Sequence, residues 1–180
     1  NADLIRELDS LGTNLLTVEA GQGFGTEEAA LPDGAAAMIR RITPVYDVSA
    51  VTRISGQVFR NDLIQDGRTK GITIIASDLN LLQSQRGSMK NGNFLNRLNS
   101  TYPVVVLGSV AAERLGIKDV ADLKLLWIGE EWFSVVGIMK PLPLAADLDR
   151  AAIIGYGAAQ EYFGHDGEVD TIYVRAYPEH

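Results

Sequence analysis

Tyr46-Asp47-Val48-Ser49-Ala50-Val51-Thr52-Arg53-Ile54-Ser55 is the stretch on which the fold turns. Between Pro44 and Arg60, Tyr46, Val48, Ala50, Ile54 and Val58 alternate with Asp47, Ser49, Arg53, Ser55 and Gln57. A period of two sends successive side chains to opposite faces of a strand, so the pattern predicts a half-buried strand with one face in water. Asn61 to Lys70 then reads as a turn, and Gly71 to Ala76 as the returning strand of a hairpin.

Upstream, Pro32-Asp33 opens a helix on which Ala35, Met38, Ile39 and Ile42 share a face, and Pro44 closes it. Before that helix lie a flexible loop, Gly21 to Thr26, and a strand, Leu15 to Ala20. Leu4, Ile5, Leu8 and Leu11 fall at helical spacing, making Asp3 to Leu11 a short amphipathic helix that stops at Gly12. Leu11-Gly12-Thr13-Asn14-Leu15-Leu16-Thr17-Val18 therefore joins a helix to a strand through a polar corner.

Downstream, Ser77-Asp78 predicts the cap of a helix running through Gln85, and Arg86 to Thr101 reads as a long irregular segment. Pro103 to Leu107 is a compact apolar strand, and Ser109 to Leu115 a helix stopped by Gly116. Leu123 to Ile128 and Trp132 to Met139 read as a hairpin across Gly129-Glu130-Glu131. Lys140-Pro141-Leu142-Pro143 is a stiff connector, because each Pro fixes its own backbone angle. A strand (Ala151 to Ile154), a helix (Tyr156 to Phe163, ended by Gly164) and a last strand (Thr171 to Ala176) follow.

The expected fold class is α+β. A ferredoxin-like βαβ-type subdomain is built from both chain ends, residues 3–76 plus 147–177, and a second small α+β subdomain, residues 77–146, is inserted in it. That order brings the two ends of the chain together.

Composition narrows the function classes. With 46% hydrophobic and 22% charged residues, 180 residues suffice for a sizeable core. The net charge of -7 argues against a phosphate-neutralising surface, so nucleic acid is not an expected partner. The chain has no Cys, which excludes disulfides, thiolate metal sites and a Cys nucleophile within it. No window reaches the roughly 20 apolar residues of a membrane-spanning helix, and the N-terminus lacks the form of a signal peptide. Asn1-Ala2 has the form of a remnant left by cleavage of an expression tag.

The residues that invite a catalytic reading have simpler ones. Gly21, Gly23 and Gly25 follow a strand but lack the GxGxxG register, and no GxxxxGK[ST] occurs. His165 beside Asp166 lies in a Gly-flanked turn without a GxSxG elbow, which reads as a solvated histidine. Glu130 and Glu131 read as a charged hairpin tip, and Trp127, Trp132 and Phe133 as an apolar sheet face. Arg40-Arg41, Arg86, Lys90 and Arg97 are scattered solvated positives. No catalytic, cofactor-binding or metal-ligating residue is assigned, and no enzyme activity is expected.

Taken in order, the segments resemble the extracytoplasmic, periplasmic core domain of MacB-like and FtsX-like ABC transporter permeases. The Gly12-Thr13-Asn14 corner is followed by the strand Val45 to Val51 and by Gly92-Asn93-Phe94-Leu95. Val104-Val105-Val106-Leu107-Gly108 precedes a small helix ending at Leu115-Gly116, similar to the family's VVVLG segment. Trp132-Phe133-Ser134-Val135-Val136-Gly137-Ile138 is similar to its f-x-V-V-G-I strand, and Ala151 to Val174 to its closing strand, helix and strand.

The resemblance implies a non-catalytic domain at the cell membrane, on the periplasmic or extracellular side, between the first and second of four membrane helices. It implies as partners the transmembrane helices of the same permease, a cytoplasmic ABC ATPase, a second permease subunit forming a dimer, and an adaptor protein or exported substrate. Gly12, Thr13 and Asn14 would be the joint through which ATP hydrolysis is coupled to the domain. The alternative is a free-standing extracytoplasmic ligand-binding or sensor domain, which predicts an enclosed apolar pocket between the two units. A hydrolase using His165 is the third reading.

Overall fold

A computed structural model of the chain describes residues 15–20, 31–42, 45–60 and 71–177. Ten strands within them form one mixed sheet: β1 (Leu15–Glu19), β2 (Val45–Ile54), β3 (Val58–Phe59), β4 (Thr73–Ser77), β5 (Met89–Gly92), β6 (Val104–Leu107), β7 (Leu125–Ile128), β8 (Glu131–Met139), β9 (Ala151–Gly155) and β10 (Thr171–Ala176). Their order across the sheet is β1-β10-β2-β4-β9-β6-β8-β7-β3, with β5 also on β8. The helices are α1 (Ala35–Arg40), α2 (Leu81–Ser84), α3 (Ser109–Leu115), α4 (Ala146–Asp149) and α5 (Tyr156–Phe163). The architecture is α+β, as the sequence predicts.

The chain ends build an antiparallel run. β1 pairs with β10 from Leu15 opposite Arg175 to Glu19 opposite Thr171, and β10 pairs with β2 from Thr171 opposite Val51 to Arg175 opposite Asp47. β4 returns along β2, as expected of the hairpin, with Val51 opposite Ser77 and Ile54 opposite Ile74. β9 lies parallel to β4, and β6 joins it antiparallel through two pairs, Val106 with Ile153 and Leu107 with Ala152. β8 is long enough to pair with β7 along its first half and β5 along its second.

One apolar cluster runs beneath both stretches of sequence. Ile54, Ile74, Ala152 and Ile154 come from the chain ends, and Val105, Leu107, Leu126 and Phe133 from between them. Helices α3 and α5 supply Ala111, Leu115, Ala158 and Ala159 to the same cluster. Both helices stop where their glycines predict: Gly116 and Gly164 adopt φ of 67° and 63°, which closes the last turn at no Cβ penalty.

Four expectations are corrected. First, β2 has no wet face between Asp47 and Thr52, because every residue there is buried. Helix α1 covers one side, through Ala35, Ala36 and Ile39 against Val48, Ile172 and Val174, and α2 covers the other. Second, the strand stops at Ile54, and Val58–Phe59 pairs instead with Trp127 and Ile128. Third, the α1 face differs: the helix starts after Gly34, and Ala36 replaces Met38 and Ile42, which are 64% and 54% exposed.

Fourth, the helix expected from Ser77 to Gln85 is the single turn α2. The Asp78 carboxylate is occupied elsewhere, accepting from the backbone N–H of Ala50 at 2.8 Å and of Asn80 at 3.1 Å. The irregular segment that follows contains β5, which the Gly- and Asn-rich composition hides.

Candidate functional site

Register brings the two ends of the described chain to one edge. Leu15, where β1 begins, stands opposite Arg175, one residue before β10 ends, and Ala176 stands opposite Val45, where β2 begins. Gly12, Thr13 and Asn14 lie outside the described residues, as does the glycine run at 21, 23 and 25. Any force applied to the chain at Leu15 or at Ala176 therefore enters the sheet through neighbouring strands.

A buried polar layer lies on one face of this edge. Pairing aligns Leu15, Arg175 and Asp47 in one row and Thr17, Tyr173 and Ser49 in the next. Arg175 and Asp47 are only 1% and 7% exposed, because α2 packs over them. The Arg175 Nε donates to the Ser84 carbonyl oxygen at 2.7 Å. The Ser49 and Ser84 hydroxyls meet at 2.6 Å, and since Ser84 donates to the Leu81 carbonyl oxygen, Ser49 donates to Ser84. The Asn80 amide donates to the Asp47 carboxylate and, at 3.0 Å, to the Val48 carbonyl oxygen.

The electrostatics follow from burial. Loss of solvent, reinforced by the neighbouring Arg86, lowers the Arg175 pKa, while Tyr46 and Asp47 oppose the shift. Burial pushes the Tyr173 phenol up to about 12. At the end of the layer Tyr46 is the extra residue of a β-bulge, since Arg175 faces Asp47 and Ala176 faces Val45. Its ring lies 4.6 Å from that of Tyr177, and its hydroxyl accepts from Arg86 Nη2 at 3.0 Å.

The sequence does not single out Arg175. The available signal is a lone arginine in the otherwise apolar and hydroxylic strand Thr171-Ile172-Tyr173-Val174-Arg175-Ala176, opposite an Asp-x-Ser alternation in β2.

The other candidates are held apart. His165 Nε2 lies 2.9 Å from the Glu168 carbonyl oxygen, and its ring stacks on Tyr156 at 6.2 Å. The Tyr156 hydroxyl meets Thr52 Oγ1 at 2.9 Å, and Thr52 donates to the Glu168 carbonyl oxygen, so this loop is pinned to β2. Open clefts of about 280 and 390 Å³ flank it, the first beside Tyr156, Gln160 and Val169 and the second beside Arg53, Ser55 and His165. Neither has the enclosed form that the sensor reading predicts.

Trp127 and Trp132 are cross-strand neighbours with ring centroids 5.1 Å apart, on the half-exposed face that also carries Phe59. Phe133 points the other way, fully buried against Tyr162 and Phe163, so the three aromatics expected on one face divide between two. Glu130 is exposed in the turn, while Glu131 opens β8 opposite Ile128. Among the described residues no group of three His, Asp or Glu side chains is placed to hold a metal ion.

A family model described as the MacB-like periplasmic core domain matches residues 2–179. The fold is similar to the crystal structure of the periplasmic region of MacB from Actinobacillus actinomycetemcomitans, with a TM-score of 0.71 at 16% identity, covering 99% of this chain and 81% of that one. It is also similar to the extracellular domain of the noncanonic ABC-type transporter YknZ from Gram-positive bacteria, with a TM-score of 0.64 at 14% identity, covering 91% of this chain and 82% of that one. At such identities these two likenesses speak for the fold. Comparison with curated proteins gives no match.

Proposed function

Because the chain belongs to the family of MacB-like periplasmic core domains, we propose that it couples cytoplasmic ATP hydrolysis to export, or to other extracytoplasmic work, as the non-catalytic domain of an ABC transporter permease. The observation that carries this reading is the pairing of Leu15 with Arg175, which sets the entering and leaving strands side by side at one edge. A domain moved by two membrane helices needs its attachments at such an edge, so that both pull on one rigid ladder.

In this reading Gly12, Thr13 and Asn14 form the joint between a membrane-derived helix and β1. Residues 3–76 with 147–177 act as a porter-like subdomain, and residues 77–146 as the inserted one, the two meeting where β6 pairs with β9, where β7 pairs with β3 and where residues 78–86 cover β2. The partners are the transmembrane helices of the same permease, a cytoplasmic ABC ATPase, a second permease subunit, and an adaptor protein or the exported substrate. No cofactor is invoked.

The test is a coupling mutation. Gly12→Pro, with Thr13→Ala and Asn14→Ala as milder changes, is expected to abolish transport while ATP hydrolysis is partly retained. Unchanged transport would refute the joint. The gene supplies an independent check, since apolar runs of about 20 residues are expected on both sides of the chain.

A further inference from the structure

Residues 78–86 leave the sheet after β4 and return to it as β5, so this segment is the covalent bridge from β4 to the strand that pairs with β8. Along its length it is tied to β2 and β10 by polar groups: Asp78 to the Ala50 N–H, Asn80 to Asp47 and the Val48 carbonyl oxygen, Ser84 to Ser49, and Arg175 to the Ser84 carbonyl oxygen. Leu81 adds a fully buried apolar contact in the cluster that holds Val51.

The segment ends in an unusual backbone. Arg86 has a φ of 49°, the only positive value at a non-glycine residue among those described, and Gly87 follows it. A left-handed non-glycine residue persists only where its surroundings hold it there, and such residues gather at switch regions. Hydrogen-bonded polar groups out of water have directional partners and cannot slide as apolar contacts do, so they fix one register.

We propose that residues 78–86 form a clasp seated on β2 and latched to β10 by Arg175, with Arg86-Gly87 as its hinge. Displacement of the paired β2 and β10 carries the segment with it and is delivered to β5 and β8 rather than dissipated within that ladder. The inference deepens the coupling reading of the preceding section and rests on it for the origin of the load. Arg175 is a positioning residue: it acts by holding the Ser84 carbonyl.

Hydrogen–deuterium exchange on this chain tests the clasp without membrane or ATPase. The amides of Ser84, Gln85, Arg86 and Gly87 bond within the segment and report its opening. Arg175→Met keeps the bulk and removes the donors; exchange over residues 80–87 is expected to quicken about tenfold or more beyond any rise in β6 and β7. Ser49→Ala is the milder second variant and should open the same amides to a smaller extent. Arg175→Lys retains a donor and should restore part of the protection. Unchanged exchange over 80–87 in both Arg175→Met and Ser49→Ala, or an equal rise across the whole sheet, overturns the clasp. Either result leaves the permease reading standing. A gene without flanking membrane spans removes that reading and leaves an exchange-detected clasp as a local device without a load.

Discussion

Arg175 stands directly across the β2–β10 ladder from Asp47, and its Nε donates at 2.7 Å to the carbonyl oxygen of Ser84, a residue far away in sequence. A guanidinium that is 1% exposed has surrendered its water, so its partners must replace it. Removing one member of such a set leaves the others buried without compensation.

Arg175→Ala is therefore expected to cost about 2 kcal/mol in urea unfolding, the scale of a lost hydrogen bond from a charged donor that leaves a buried carbonyl unsatisfied. Leu16→Ala, on the edge strand at 60% exposure, should stay within about 0.5 kcal/mol. Equal midpoints for the two variants would contradict the structural weight assigned to the polar layer.

Phe133→Ala probes the apolar cluster. The ring is fully buried, with the Tyr162 and Phe163 centroids 5.6 and 6.2 Å away. Truncation removes transfer free energy and leaves a cavity, for an expected loss of about 3–5 kcal/mol. A Trp132→Ala variant, on the half-exposed face, should lose distinctly less in the same denaturation series.

Gly155→Ala tests a close backbone approach. A Cβ at this position would lie 2.1 Å from the Ser100 carbonyl oxygen, and backbone on both sides limits relief. An expected loss of about 2 kcal/mol, the scale of overpacking, should appear as a lowered melting temperature. A variant as stable as the parent would show that the turn at Ser100 yields freely.

Asp78 gives a pH dependence of definite sign. Burial raises its carboxyl above the ordinary 3.8, while the N–H groups of Ala50 and Asn80 and the charge of Arg40 pull it down less strongly. The folded chain then takes up this proton at a higher pH than the unfolded chain does. Between the folded value and 3.8 the native state binds more protons, so this group adds stability as pH falls through that window. Asp78→Asn lacks the contribution. The stability of the parent relative to the variant should increase as pH is lowered from about 7 to about 4, and a constant difference would contradict the assignment.

Legibility in the sequence followed how local each signal was. Gly116 and Gly164 end their helices where expected, and the 123–128 and 132–139 segments pair as a hairpin, because each rests on a few adjacent residues. The wet face of β2 failed because alternation reports polarity, and polarity equals exposure only when nothing polar covers the face. Asn80 and Ser84 cover it, and they lie more than thirty residues away in sequence. Arg175 is hidden in the sequence for the same reason: nothing local to a strand arginine shows the carbonyl from a distant segment that lies against it. The split of Phe133 from Trp127 and Trp132 was in principle readable, since adjacent strand residues point to opposite faces.

The coupling account is tested most directly at Leu16, on β1 just beyond the proposed joint. Since these 180 residues contain no Cys, Leu16→Cys in a full transporter whose other cysteines have been replaced provides a single thiol for a membrane-impermeant maleimide. The account predicts labelling from the extracytoplasmic side, at rates that differ between the nucleotide-free and vanadate-trapped states. Identical rates in the two states, or labelling only from the cytoplasmic side, would contradict it.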